Sequence, residues 1–386
     1  MARLTMLRSL SRLRIPFLLA ALVAFIGFPL VFTNPATTTV ALFTLIYAAA
    51  GTAWNIFSGY TGYIALGHAV YFGVGCYTIA IICQDWHIQG GWQPFWIVPI
   101  AGVVAALVAI PLGAIALRTR KHTFVVITIA LFFIFQLLAT NLRGVTGGSQ
   151  GLNLPIPLQW NVDLYNLPFY YVALAILLIA LAVSWWVRNS KFGLGLLAIR
   201  DDEDRARGLG VRTGWMKLSA FVLSAFFVGM CGAVWAYYQG SIYPQFSFDA
   251  LFDVTIALMA FMGGLGTLSG PIIGALIIIP TQQYFTFTYG ENGYDQIFFG
   301  ALFLVVILLL PQGIVPGLGR LWTWAVTRGD AAALPPAPQQ PFPGGSPGPN
   351  GYTGRNGGGG AGFAGKAPPS SGANRPAPQA PATQKR

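Results

Sequence analysis

Trp54-Asn55 followed by Ser58-Gly-Tyr-Thr-Gly-Tyr-Ile-Ala-Leu-Gly-His68-Ala-Val-Tyr-Phe-Gly73-Val-Gly75-Cys-Tyr-Thr78 is an apolar run broken by five glycines and carrying an asparagine and a histidine. A soluble helix does not read this way. Inside a bilayer, glycines let helices approach closely and tolerate a break in the helix, provided that the freed backbone is buried in protein or lines a cavity. Asn55 and His68 are polar groups at membrane depth, where they are expensive and often functional. Two readings of His68 stand, a histidine hydrogen-bonded between helices and a lining residue of a path. The glycines, Gly73 and Gly75 among them, likewise read as packing positions or as a hinge.

The rest of the chain makes the membrane setting unavoidable. Of 386 residues, 55% are hydrophobic and 9% charged, with a mean hydropathy of +0.63. Soluble domains carry about 25% charged residues, so so few charges cannot cover a water-exposed surface. Apolar runs fall at 15–33, 38–57, 63–83, 95–117, 123–140, 168–187, 215–238, 250–262, 268–286 and 296–310, most of them near the length a bilayer needs. The stretches 63–83 and 250–286 are broken by Gly and Pro and read either as spans or as half-helices and re-entrant turns. The first follows Arg3, Arg8, Arg12 and Arg14. It is longer than a signal-peptide core and lacks a small-x-small cleavage site, so it reads as a retained helix. The expectation is an all-α polytopic bundle of about ten transmembrane helices.

Charge sets the expected topology. With the N-terminus in the cytoplasm and ten alternating spans, 21 of the 22 Lys and Arg lie on the cytoplasmic side, and Arg143 alone falls outside, as the positive-inside rule requires. Both termini are then cytoplasmic. The net charge of +11 is thus a topology signal, and nucleic acid is not an expected partner. Residues 1–320 form the expected membrane domain and 321–386 a cytoplasmic tail. From 331 onward the tail holds twelve Pro and twelve Gly in 56 residues, too little apolar surface to order itself. Its basic residues could meet anionic lipid, against a plain solvated tail. Gly360-Ala-Gly-Phe-Ala-Gly365-Lys366-Ala367 mimics a phosphate loop. It lacks the Ser/Thr hydroxyl, and Pro368-Pro369 blocks the helix that must follow. Cys76, Cys83 and Cys231 show no metal-ligand spacing; no metal and no cofactor is expected. His68, His87 and His122 are the only histidines. Asp253 is the sole acid near a span interior, placed either there or at the external interface. Intramembrane catalysis and proton-relay transport therefore have little to work with.

Two further stretches carry function. The polar segment Arg188–Val211 holds Asp201, Asp202 and Glu203 ahead of Arg205 and Arg207, the charge order that suits a short helix and its dipole; Gly208 and Gly210 are placed to end it. It reads as a docking element for a soluble partner, or as a solvated loop. Gly263-Gly264-Leu-Gly266-Thr-Leu-Ser-Gly270-Pro271-Ile-Ile-Gly274 has glycine-glycine and glycine-proline pairs that mark a turn. Gly266, Gly270 and Gly274 are expected as one flat helical stripe for close packing, or as a hinge.

Four segments in order resemble the LivM/LivH family of ABC permeases for branched-chain amino acids, nearest the LivM type. They are Gly-x-x-Gly-x-x-x-Leu-Gly-His at 59–68, Thr146-Gly-Gly-Ser-Gln-Gly-Leu152, Phe192-Gly193 with Ala198-Ile-Arg200-Asp201, and Gly-Gly-Leu-Gly-Thr-Leu-x-Gly-Pro at 263–271. The resemblance spans about residues 40–320. It implies a non-enzymatic permease subunit in the bacterial inner membrane, paired with a homologous permease, most readily as a heterodimer. It also implies two cytoplasmic ATPases docked on the loop at 192–211, and a periplasmic solute-binding protein. On that reading Asn55, Thr61, Gly62 and His68 are candidates for the translocation path. Arg200, Asp201, Glu203, Ala206, Gly208 and Gly210 are candidates for ATPase coupling. The sequence departs from the family where Arg205-Ala206 and Gly208 replace a frequent run of alanines. A urea or short-chain amide permease is the alternative within the class; a stand-alone channel or secondary carrier, or a membrane scaffold without transport, lies outside it.

Overall fold

The computed structural model describes residues 20, 22–32, 34–157, 160, 165–289, 297, 300, 301, 304 and 313–317. The expected span at 296–310 and the tail from 331, with its phosphate-loop mimic, lie almost wholly or wholly outside the described residues, as does the start of the expected first span.

What is described is mostly helical. Helix α1 (Leu22–Val31) leads into α2 (Pro35–Trp54), whose entry is fixed by Pro35 in the first turn and by Asn34, which accepts from the Ala36 N–H. Then follow α3 (His68–Asp85), α4 (Val98–Ala116) behind a 3₁₀ turn at Gln93–Ile97, and α5 (Lys121–Asn141). The short α6 (Arg143–Thr146) precedes α7 (Asn166–Asn189). The polar stretch forms α8 (Lys191–Asp201) and α9 (Glu203–Gly208). After them come α10 (Thr213–Gln239), the short α11 (Pro244–Ser247), α12 (Ala250–Gly263) and α13 (Gly270–Tyr289). Two-residue strands β1 (Leu152–Asn153) and β2 (Ser241–Ile242) pair antiparallel, Leu152 opposite Ile242. They pin the 146–153 loop to the end of α10.

Six of these segments are long and apolar enough to cross a membrane: Pro35–Gly59, Gln93–Ala116, Lys121–Asn141, Asn166–Asn189, Thr213–Gln239 and Pro244–Gly263. The chain is a multi-pass membrane protein. Helices α3 and α13 occupy two further expected runs.

Burial sorts the bundle into centre and rim. Of the apolar windows, 78% of that in α2 is buried and 67% of that in α10, against 33% for α4 and 22% for α5. Val103, Leu107, Val126, Phe133 and Leu137 on α4 and α5 face outward, which in lipid costs nothing because hydrocarbon tails are as apolar as leucine. The centre is closed by small residues. A Cβ on Gly75 would run into the backbone of Gly229, and one on Gly232 into that of Phe72. Helices α3 and α10 therefore meet backbone to backbone.

Candidate functional site

Helix α2 does not end cleanly. Its last turn widens into a π-turn at Asn55–Gly59, and residues 62–67 leave the helix before α3 starts at His68. Gly62 takes φ +71°, a left-handed conformation that a side chain disfavours. Backbone freed inside a membrane needs new partners, and side chains supply them. Thr61 Oγ1 donates to Phe57 O at 2.8 Å and accepts from Tyr63 N at 3.2 Å. Trp54 Nε1 donates to Ala65 O at 2.8 Å, Ser58 Oγ accepts from Ala65 N at 3.3 Å, and Thr128 Oγ1 accepts from Leu66 N at 3.2 Å. The first turn of α3 is capped from another helix, since Asp253 Oδ1 on α12 accepts from Ala69 N at 3.0 Å. His68 is fully buried and its Nε2 sits 2.8 Å from Ser224 Oγ on α10.

A second break separates α12 from α13, with Gly264 at φ +122° and Gly266 at φ +78°. Asn55 joins the two breaks. Its Oδ1 accepts from Gly266 N at 2.8 Å and its Nδ2 donates to Thr267 O at 2.9 Å, so one amide side chain satisfies both faces of a backbone turn 211 residues away. Thr267 closes the turn locally: its Oγ1 donates to Gly264 O at 2.7 Å and accepts from Gly270 N at 3.1 Å. The expected stripe of Gly266, Gly270 and Gly274 is corrected here. Gly266 lies in the left-handed turn ahead of α13, because Asn55 takes its N–H out of any helical ladder. Only Gly270 and Gly274 are on the helix, packed on the backbones of Gly263–Gly264 and Met259 respectively. Gly73 packs on the Phe248 ring.

The α8–α9 pair sits beside the first break. The short helix that the charge order suggests is α9, with acids in its first turn and Arg205 and Arg207 in its last, and Asp202 starts it and separates it from α8. Its carboxylate caps α9, accepting from Asp204 N and Arg205 N at 3.0 Å each. Glu203 turns inward. Its Oε1 lies 2.7 Å from Lys217 Nζ and 3.3 Å from Arg207 Nη2, and its Oε2 accepts from Tyr63 OH. Lys217 is buried, donates to Tyr63 OH at 3.2 Å and lies 4.5 Å from the centre of that ring. Partial burial raises the Glu203 pKa, but the bonds from Lys217 and Tyr63 and the charges of Lys217 and Arg207 outweigh it. They hold the carboxyl below its ordinary value. Arg200 Nη1 donates to Gly59 O at 2.8 Å, while Lys121 Nζ donates to Arg200 O at 3.1 Å.

The structure thus gathers Asn55, Thr61, Gly62, Arg200 and Glu203 around the first break. His68 is placed one step deeper, on the α10 side. Ala206 is buried, while Asp201, Gly208 and Gly210 are exposed and Leu209 is 85% exposed. Ala198, Asp201, Asp202, Arg205, Ala206 and Leu209 line an open groove of about 410 Å³ on this face. Sequence reasoning missed Tyr63, Lys217, Ser224 and Thr267 as members of these clusters. Lys217 carried a signal, a lysine two residues inside the apolar run starting at 215. Asp253 carried one too, and the structure buries it against α3.

These features define a helical membrane protein whose central helices are broken, with a polar helix pair bound to one break, the architecture of a transport permease. Residues 36–307 match a family described as branched-chain amino acid transport system / permease component, and the chain belongs to that family. It is 27% identical over 325 residues to the high-affinity branched-chain amino acid transport system permease protein LivM of Escherichia coli K12, covering 78% of this chain and 74% of that one. The LivH permease of the corresponding Salmonella typhimurium system is 24% identical over 288 residues, 71% of this chain and 91% of LivH. An autoinducer 2 import system permease LsrC from Yersinia pseudotuberculosis is 29% identical over 156 residues, 39% and 42% of the two chains. No solved structure matches this chain.

Proposed function

We propose that this chain is a membrane-spanning subunit of an ATP-driven ABC importer that moves branched-chain aliphatic amino acids across the bacterial inner membrane. The observation that carries this reading is the reach of the similarity: the family match at 36–307 takes in both helix breaks and the whole α8–α9 pair, and the likeness to LivM extends over 78% of the chain. The full topology is ten spans with both termini in the cytoplasm, a membrane domain at 1–320 and a Pro/Gly-rich tail at 321–386. ATP is hydrolysed on two separate subunits. They dock on the exposed face of α8–α9, where Asp201, Gly208 and Gly210 lie beside Leu209. A homologous permease completes the membrane unit, and a periplasmic protein delivers the solute. The path runs past the break at 55–68, where Asn55, Thr61, Gly62 and His68 lie. Gly73, Gly75, Gly263, Gly264, Gly270 and Gly274 hold the helices close enough for the breaks to be enclosed.

Uptake of radiolabelled leucine tests this, measured in a strain lacking the gene and in the complemented strain, with urea in parallel. Loss of leucine uptake, restored by the gene and abolished by ATP depletion, is the expected result. Lost urea uptake with leucine uptake intact would move the substrate and keep the mechanism. No change in either would sink the importer reading for these solutes.

A further inference from the structure

Arg200 is inserted into a socket that spans both helix breaks. Its guanidinium donates to the carbonyl of Gly59, in the π-turn that ends α2. Its stem lies along Gly62, where an added Cβ would come within 3.0 Å of Arg200 Cγ. Its Nη1 lies against Gly266 in the second break, where a Cβ would sit 2.5 Å away. Gly62 and Gly266, from two segments more than 200 residues apart, thus form walls of the slot, and their lack of side chains is what admits the arginine. Gly59 supplies the carbonyl at its end. The socket is itself one piece, because Asn55 in the same π-turn holds Gly266 N and Thr267 O.

We infer that Arg200 is the positioning residue through which displacement of the α8–α9 pair moves both helix breaks together. The inference rests on the proposed function for the source of that displacement, the ATPases on the exposed face of α8–α9. The direction of force follows from the connections. The main chain of Arg200 belongs to α8, whose outer surface is free for a partner, while its side chain ends on Gly59. A shift of α8 therefore pulls the Gly59 carbonyl, and Asn55 carries the pull on to residues 266–267. Glu203, Lys217 and Tyr63 make a parallel connection from α9 and α10 to the segment after the π-turn. That connection ends on Tyr63, beyond the π-turn, so Arg200 is the contact that ties the α8–α9 pair to the turn that Asn55 links to the second break.

The test uses the complete transporter, this chain with its partner permease and ATPases, reconstituted in proteoliposomes with the solute-binding protein and leucine. Solute moved per ATP hydrolysed is compared in the parent, Arg200→Leu and Arg200→Lys. Leucine keeps apolar contact with Gly62 and removes the donor; lysine keeps a charged donor. Arg200→Leu is expected to lower the ratio about tenfold, the equivalent of one charge-assisted hydrogen bond, and Arg200→Lys to restore part of it. A parental ratio in Arg200→Leu, or equal defects in both variants, would overturn the inference while leaving the importer standing. A parent that moves no leucine on ATP would overturn the proposed function, and this inference with it. A second measurement needs no partner. Hydrogen–deuterium exchange on the full chain in nanodiscs should show exchange at residues 264–267 rising about tenfold in Arg200→Leu, with α3 and α4 unmoved. Unchanged exchange there would remove the link between Arg200 and the second break.

Discussion

The Glu203 and Asp253 clusters lie at opposite ends of the same short segment, residues 61–69, and they are satisfied to different degrees. Both carboxylate oxygens of Glu203 are engaged, by Lys217, Arg207 and Tyr63. Asp253 uses one oxygen, on Ala69 N; its Oδ2 finds no partner among the described residues, and neither does Nδ1 of the neighbouring His68. The first cluster joins a polar helix pair to the bundle and has cations at hand. The second lies among α3, α10 and α12, where the described neighbours offer N–H groups and a serine. A carboxylate suits the N-terminus of α3, where helix dipole and free N–H groups favour negative charge. Each buried polar atom left unpaired still carries its desolvation penalty. The lesson is that one cluster is tuned as an ion pair and the other as a cap.

The comparison breaks most readily at Lys217. Lys217→Ala removes the buried cation from Glu203 and Tyr63 and leaves only the more exposed Arg207 beside the carboxylate. It should destabilise the chain by about 3 kcal/mol, since removing one partner of a buried pair exposes the other's desolvation cost. Thermal unfolding of the purified chain in detergent reads this; a midpoint within a degree of the parent would show the pair to be dispensable. Next is the geometry that brings the clusters together. Gly75→Ala should cost about 1–3 kcal/mol by overpacking α3 against the Gly229 backbone, seen as reduced folded yield in the membrane. Normal yield and unfolding temperature would show that α3 and α10 can separate at little cost.

Asp253 sharpens the contrast. Asp253→Asn keeps the acceptor for Ala69 N and removes the acid, so it should change stability by less than about 1 kcal/mol. Asp253→Leu removes the acceptor and should cost about 1–3 kcal/mol. Equal losses in the two would mean that the carboxyl group itself is required, and the cap reading would fail. The smallest effect is in pH. Glu203 has a folded pKa below its unfolded value. Its stabilisation is therefore complete above the unfolded value, near pH 4.5, and is lost as pH falls through the lower folded value. The parent should lose unfolding temperature over that acid window more steeply than Glu203→Gln. Parallel curves would dismiss the contribution.

Much of the scaffold is legible in the sequence because hydropathy is a strong, local signal. Apolar runs at 38–57, 95–117, 123–140, 168–187 and 215–238 reappear as α2, α4, α5, α7 and α10. Gly62 and Gly264 announce breaks because few other residues accept their backbone angles. The site is less legible. The charge order at 201–207 suggests the short helix α9 but not that Asp202 caps it and parts it from α8, since a cap is recognised only when its side chain meets an N–H. The four-residue glycine spacing at 266–274 suggests a stripe, and a hydrogen bond from a distant asparagine removes its first member.

What the sequence determined by itself is a membrane chain with spans of readable position, two breaks, a polar helical segment and a family. These follow from composition, period and order along the chain, which act over one or two turns. What only the tertiary structure decided is which groups complete one another: Asn55 with Gly266 and Thr267, Arg200 with Gly59, Lys217 with Glu203 and Tyr63, Asp253 with Ala69. Buried polar groups need partners wherever the fold brings them, and the separation along the chain carries no information about where that is.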